Sequence, residues 1–172
     1  TMYQQLQIAN SSNDKRAVKG LLESLKESLT EISKEQKTEG ILLDTSPFYA
    51  GGTHLAWCAA DAVIIPVRVD EHSLASLELT LNLLSNPERD FEIWNERAGG
   101  RKGPRVAAVV MTMVGARSNL RSVPDRASQM YIARAVEIVQ KYPKLFDHAD
   151  PVDSIVITDD FVSSGRISGD DF

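Results

Sequence analysis

The chain has 172 residues, 42% of them hydrophobic and 25% charged. That fits a single domain, 1–172, with enough apolar material for a real core. The net charge of −5 is not that of a polycation built for nucleic acid, and the longest apolar runs, such as residues 62–67, are far too short to span a bilayer, so no membrane partner is expected. A lone cysteine, Cys58, excludes an internal disulfide framework, and no basic-then-apolar stretch opens the chain; both fit a cytoplasmic location.

The first dozen residues are polar and poorly patterned, and Ser11, Ser12 and Asn13 are candidate helix caps. Val18, Leu21, Leu22, Leu25, Leu29 and Ile32 then recur at helical spacing, which predicts a long amphipathic helix stopped at Gly40. Residues 41–44, Ile-Leu-Leu-Asp, form a short apolar run without alternation, as in a strand covered on both faces. A turn at residues 45–52 leads into a short helical stretch through Leu55, Ala56 and Ala59. Residues 62–67 are a second strand, with Pro66 better suited to its end than its middle. Leu74, Leu77, Leu81 and Leu84 stripe a helix that ends at Asn86-Pro87. A polar segment with Trp94 and a Gly-rich loop follow, and residues 106–113 are a third strand. Pro124 suits the first position of a helix running to about Lys141, and residues 154–158 are a weaker fourth strand. Strands alternating with helices predict an α/β fold, a mostly parallel sheet flanked by helices.

In such sheets ligands bind at the carboxyl ends of the strands. Asp44 ends an apolar run with its carboxylate free to hold a water of Mg²⁺. Pro47 and the pair Gly51-Gly52 shape a turn whose amides can approach a phosphate. The plainer reading, a turn former or helix cap, stands beside it for Asp44, as strand-end packing does for Thr112 and Met113. Charge is uneven along the chain. Residues 117–144 carry six basic and two acidic side chains, a local net of +4, whereas residues 147–172 carry seven aspartates and one arginine, a net of −6. A binding face and a solvated helix surface both account for this.

Four segments carry a family resemblance. Ile41-Leu42-Leu43-Asp44-Thr45-Ser46-Pro47 is similar to the strand and Asp-Thr-x-Pro turn of the ParA/MinD class of deviant Walker ATPases. Ala59-Ala60-Asp61-Ala62-Val63-Ile64-Ile65-Pro66-Val67 resembles that class's Ala-Ala-Asp-x-Val-Ile-x-Pro-Val, and Ser73-Leu74-Ala75-Ser76-Leu77 its Ser-Leu-x-x-Leu helix start. Val110-Met111-Thr112-Met113 followed by Arg117-Ser118-Asn119-Leu120 resembles the ParA form in particular. The resemblance implies a P-loop NTPase-like fold of the deviant Walker class. It implies Asp44 as the Walker B-type aspartate acting on Mg²⁺ through water, and residues 45–52, with Thr45, Pro47 and Gly51, as the turn that senses the γ-phosphate. Thr112 and Met113 would lie near the nucleotide base, and Arg117, with Arg121, in the DNA-binding surface. ParA-like proteins usually have an acidic residue where Gly115 stands, and their later Ile-Pro-Arg segment has no clean counterpart within residues 154–165.

The class opens with a strand and a Lys-Gly-Gly-x-Gly-Lys-Ser/Thr loop that cradles the phosphates, and this chain carries no counterpart. The expectation is therefore the C-terminal two-thirds of a ParA-like ATPase, incomplete at the N-terminus. In the intact parent, ATP and Mg²⁺ would drive a homodimer switch for partition of DNA or positioning of cellular structures, with non-specific DNA and a ParB-like stimulating protein as partners. No cofactor and no ATPase activity are expected for this chain alone. Two other readings stay open: a phospho-receiver-like signalling domain with Asp44 as acceptor, and a non-catalytic interaction module of the same fold.

Overall fold

Residues 2–11, 15–46, 49–117 and 120–157 are described by a computed structural model of the chain. In chain order the elements are helices α1 (Met2–Ser11), α2 (Lys15–Gln36) and α3 (Gly51–Ala59), strand β1 (Ala62–Arg68), helices α4 (Glu71–Ser85) and α5 (Asp90–Arg97), strands β2 (Arg105–Thr112), β3 (Ala116–Arg117) and β4 (Leu120–Pro124), helix α6 (Arg126–Val139), and strand β5 (Ile155–Ile157). They divide between two compact units, Thr1–Ala62 with Asn86–Pro104 and Val63–Ser85 with Arg105–Phe172.

The first unit is helical. α2 packs on α1, α3 and α5. Its stripe is buried at Val18 and Leu22 and opens to solvent by Ile32, because an apolar stripe is covered only as far as neighbouring helices reach. Leu6, Ala56, Cys58, Ala59, Phe91, Trp94 and Ala98 complete the core. α1 and α5 are additions to what the sequence predicts, anchored by buried Leu6 in the one and by Phe91 and Trp94 in the other rather than by a long stripe. Gly40 does not stop α2. The helix ends at Gln36, after which Lys37 takes a left-handed conformation (φ 53°) and the Thr38 amide donates back to the Ser33 carbonyl (3.1 Å), the closing bond of a Schellman motif.

Residues 41–46 form no strand, which corrects the expectation of a first strand at 41–44. Ile41 is 44% exposed and Leu42 89%. A strand exists only where its backbone groups find a ladder, and among the described residues nothing pairs with this run. Apolar composition alone does not supply a partner.

The second unit holds a small sheet of three parallel strands in the order β1-β2-β5. β2 and β5 align Val109 with Ile155, Val110 with Val156 and Met111 with Ile157. Pro66 lies inside β1, not at its end, and its missing donor is tolerated because β1 is an edge strand. Leu74, Leu77, Leu81 and Leu84 of α4 are all buried, as their spacing predicts, with Val67, Val106, Val109, Met111, Ala135, Ile138, Val139 and Phe146. α4 packs on α6. Pro124 ends β4 rather than starting the helix; Asp125 caps α6 by accepting from the Ser128 amide at 2.7 Å. β3 and β4 form a separate antiparallel pair.

Candidate functional site

The segment that contains Asp44 is joined to the start of α3 by one hydrogen bond. Asp44, Thr45 and Ser46 are exposed. The Thr53 hydroxyl, buried in the first turn of α3, donates to the Ser46 carbonyl at 3.4 Å and ties the segment to the helix. Pro47 lies outside the described residues. Gly51 and Gly52 are the first two helical residues rather than a separate turn, and Ala50 at the cap has extended backbone and no side-chain acceptor. At Gly51 a side chain would begin 3.1 Å from the Met2 Cβ, so the absence of one lets α1 approach.

α4 and α6 begin differently. Asp70 accepts from the Ser73 amide (2.8 Å) and hydroxyl (3.2 Å), and Asp125 from the Ser128 amide. Each carboxyl is held below its usual range chiefly by that backbone hydrogen bond. At these two helix starts a carboxylate accepts from the first turn, whereas Ala50 makes no side-chain cap hydrogen bond at α3.

Thr112 ends β2, half-buried, with its hydroxyl 3.5 Å from the Val67 carbonyl. Met113 lies just past the strand at φ 58° and is 58% exposed. Arg117 and Arg121 fall on the paired strands β3 and β4. Asp44, Thr45 and Gly51 thus belong to the helical unit, and Thr112, Met113, Arg117 and Arg121 to the sheet unit. Gly115 donates its amide to the Ser128 hydroxyl (2.9 Å) and accepts at its carbonyl from the Asp125 amide (2.7 Å). A Cβ there would sit 2.2 Å from an Asp125 carboxylate oxygen. A side chain at 115 would therefore force the Asp125 carboxylate to move from its place at the start of α6.

The basic stretch from 117 to 144 is partly spoken for. Arg134 pairs with Glu71, and Lys141 with Glu78 at 2.7 Å, both across the exposed α4–α6 surface. Those two charges read as a solvated helix face. Among the described residues no group of three or more His, Cys, Asp or Glu side chains is placed to hold a metal ion. Asp44 offers one exposed carboxylate, enough to hold one water of Mg²⁺, with the remaining ligands left to phosphate and solvent.

Sequence patterning gives no sign of a buried polar cluster in the helical unit. His54 is fully buried, its Nδ1 3.0 Å from the Tyr49 hydroxyl and 3.5 Å from that of Tyr3. Phe91 closes over the ring with centroids 5.2 Å apart. One turn on, Cys58 is buried as expected of a small apolar residue, and burial pushes its thiol up to about 11, which makes it a poor nucleophile. Arg101 donates to the Cys58 carbonyl at 2.9 Å and pairs with Glu23 at 3.3 Å. These residues come from four distant stretches of chain, so no local spacing signals them. Compared with protein-family models, curated proteins and solved structures, the chain matches none.

Proposed function

We propose that this chain is part of a ParA-like ATPase that partitions DNA or positions cellular structures, with the segment from Asp44 to Gly52 as its nucleotide-sensing turn. The observation that supports the proposal is the glycine-led start of α3, where Ala50 makes no side-chain cap hydrogen bond, with Ser46, two residues after Asp44, hydrogen-bonded to Thr53 of its first turn. A Mg²⁺-phosphate group requires amides for the phosphate oxygens and a carboxylate for a metal-bound water, and in this reading Gly51 and Gly52 supply the amides and Asp44 the carboxylate. The parallel strands β1 and β2 agree with the motif segments at 59–67 and 110–113, whereas the described residues of the segment at 41–47 form no strand. In this account ATP and Mg²⁺ bind in the intact parent, binding drives dimerisation and non-specific DNA contact through Arg117 and Arg121, and hydrolysis, stimulated by a ParB-like partner, resets the dimer.

The test is ATP turnover by the full-length gene product and its Asp44→Asn variant. The substitution keeps shape and removes the charge that orients magnesium. Because charge aimed at a transition state is typically worth orders of magnitude in rate, turnover should collapse while the circular dichroism spectrum stays unchanged. Near-normal turnover would make Asp44 a turn residue only. Labelling of Asp44 by acetyl phosphate would instead favour a receiver domain, and failure of the full-length product to bind ATP would favour an interaction module.

A further inference from the structure

We propose that His54 is an acid-released pin that holds α1 and the approach to α3 onto the helical unit. The proposal is independent of the ATPase account, since it rests on the packing around one ring. Tyr3 comes from α1, Tyr49 from the residues just before α3, and Phe91 from α5. All three surround His54, with centroids 6.0, 5.8 and 5.2 Å from its ring. Tyr49 also lies 5.1 Å from Trp57, so the ring cluster continues along α3. The two hydroxyls meet at a single ring nitrogen, Nδ1. Nε2 is buried and has no hydrogen-bond partner among the described residues.

The neutral ring satisfies this arrangement with one hydrogen bond. When Nδ1–H donates to the Tyr49 oxygen, only a lone pair on Nε2 is left unpaired. A second proton changes two things together. It places a charge where no water reaches, and it turns Nε2 into a donor with no acceptor; both are costly in a buried site. The charged groups around the ring divide. Asp90 on α5 favours the charged form, and Arg101 after α5 opposes it while itself paired with Glu23 of α2. Tyr3, Tyr49 and the Cys58 thiol are neutral, each pushed up by burial. Burial outweighs Asp90 and pushes His54 down to about 4.

A histidine depressed in the folded state binds its proton more readily when released. The pin is therefore fully effective above the ordinary histidine value near 6.5 and weakens as pH falls from there toward about 4. The least disruptive relief is local: Tyr49 and α1 separate from α3 and let water reach the ring, while the rest of the fold remains.

The experiment follows the whole chain from pH 7 to pH 3.5 by NMR. It reads the His54 ring carbons, the Gly51 and Gly52 amides, and the fluorine signal of Trp57 in fluorotryptophan-labelled protein. The expected result is a His54 midpoint about 4, with the amides and Trp57 shifting at the same midpoint before the β2 amides change. His54→Phe and His54→Gln should abolish the Trp57 transition near that pH. A His54 midpoint near 6.5, or ring titration with no response at Gly51, Gly52 and Trp57, would overturn the proposal on the native chain, even if neither variant folds. Persistence of the transition in a folded variant would overturn it equally.

Discussion

Lys37 pays the cost of a left-handed backbone at the end of α2, where glycine would take the same conformation without a side-chain clash. Lys37→Gly relieves a left-handed penalty of about 1–2 kcal/mol against an added entropic cost of about 0.5–1 kcal/mol, so it should modestly stabilise the helical unit, seen as a higher urea midpoint with an unchanged slope. Gly115 is the opposite case. A methyl group there meets the Asp125 carboxylate at 2.2 Å, so Gly115→Ala should destabilise by about 1–3 kcal/mol, the usual range for overpacking. Equal stability of that variant in urea would mean that the contact relaxes freely. Sequence alone shows Gly115 as a departure from the ParA pattern but not its cause, because Asp125 is ten residues away and reaches it only through a turn. Met113 is similar: a strand-end methionine is visible, its positive φ is not.

The elements that sequence patterning places well are those with a repeated stripe or a run of β-branched residues: α2, α4, α6, β1 and β2. α4 is the clearest, since all four leucines at its spacing are buried. α1 and α5 are not legible because their stability comes from distant partners, Leu6 and Tyr3 in one, Phe91 and Trp94 in the other. Phe91→Ala should accordingly cost about 3–5 kcal/mol, as for other fully buried aromatics, and urea unfolding measures it. The run at 41–44 misleads for a related reason: its composition is that of a buried strand, and only a ladder would make it one. At the start of α6 the Asp125 carboxyl is held low by the Ser128 amide. Its contribution is complete above the ordinary carboxylate range and is lost as pH falls through that range to its lower folded value. Asp125→Ala should remove this part of the acid dependence, which stability curves from pH 7 to pH 2 will show.

Across the whole molecule, the α/β class was legible from alternating strands and helices, whereas the division into two units and the buried aromatic cluster depend on contacts between remote stretches. The candidate site was legible only as a chain of motifs. The structure adds the glycine-led start of α3 and its hydrogen bond from Thr53 to Ser46, and it pairs Arg134 with Glu71 and Lys141 with Glu78. That distinction gives the DNA prediction an internal control. In the full-length product, Arg117→Ala with Arg121→Ala should weaken DNA binding uniformly across sequences and lower its salt slope by about one unit per lost phosphate contact at most. Replacing Arg134 and Lys141 should leave the slope unchanged. The most direct test of the central claim is calorimetric titration of Mg²⁺-ATP into the full-length product and, side by side, into this 172-residue chain. Phosphoryl transfer depends on positioning and charge stabilisation, and a lone carboxylate beside one helix start repels ATP more than it holds it. The account predicts micromolar binding by the full-length product, with little or no heat and no phosphate release from the chain alone. Tight binding with phosphate release by the chain alone, or no binding by the full-length product, would contradict it.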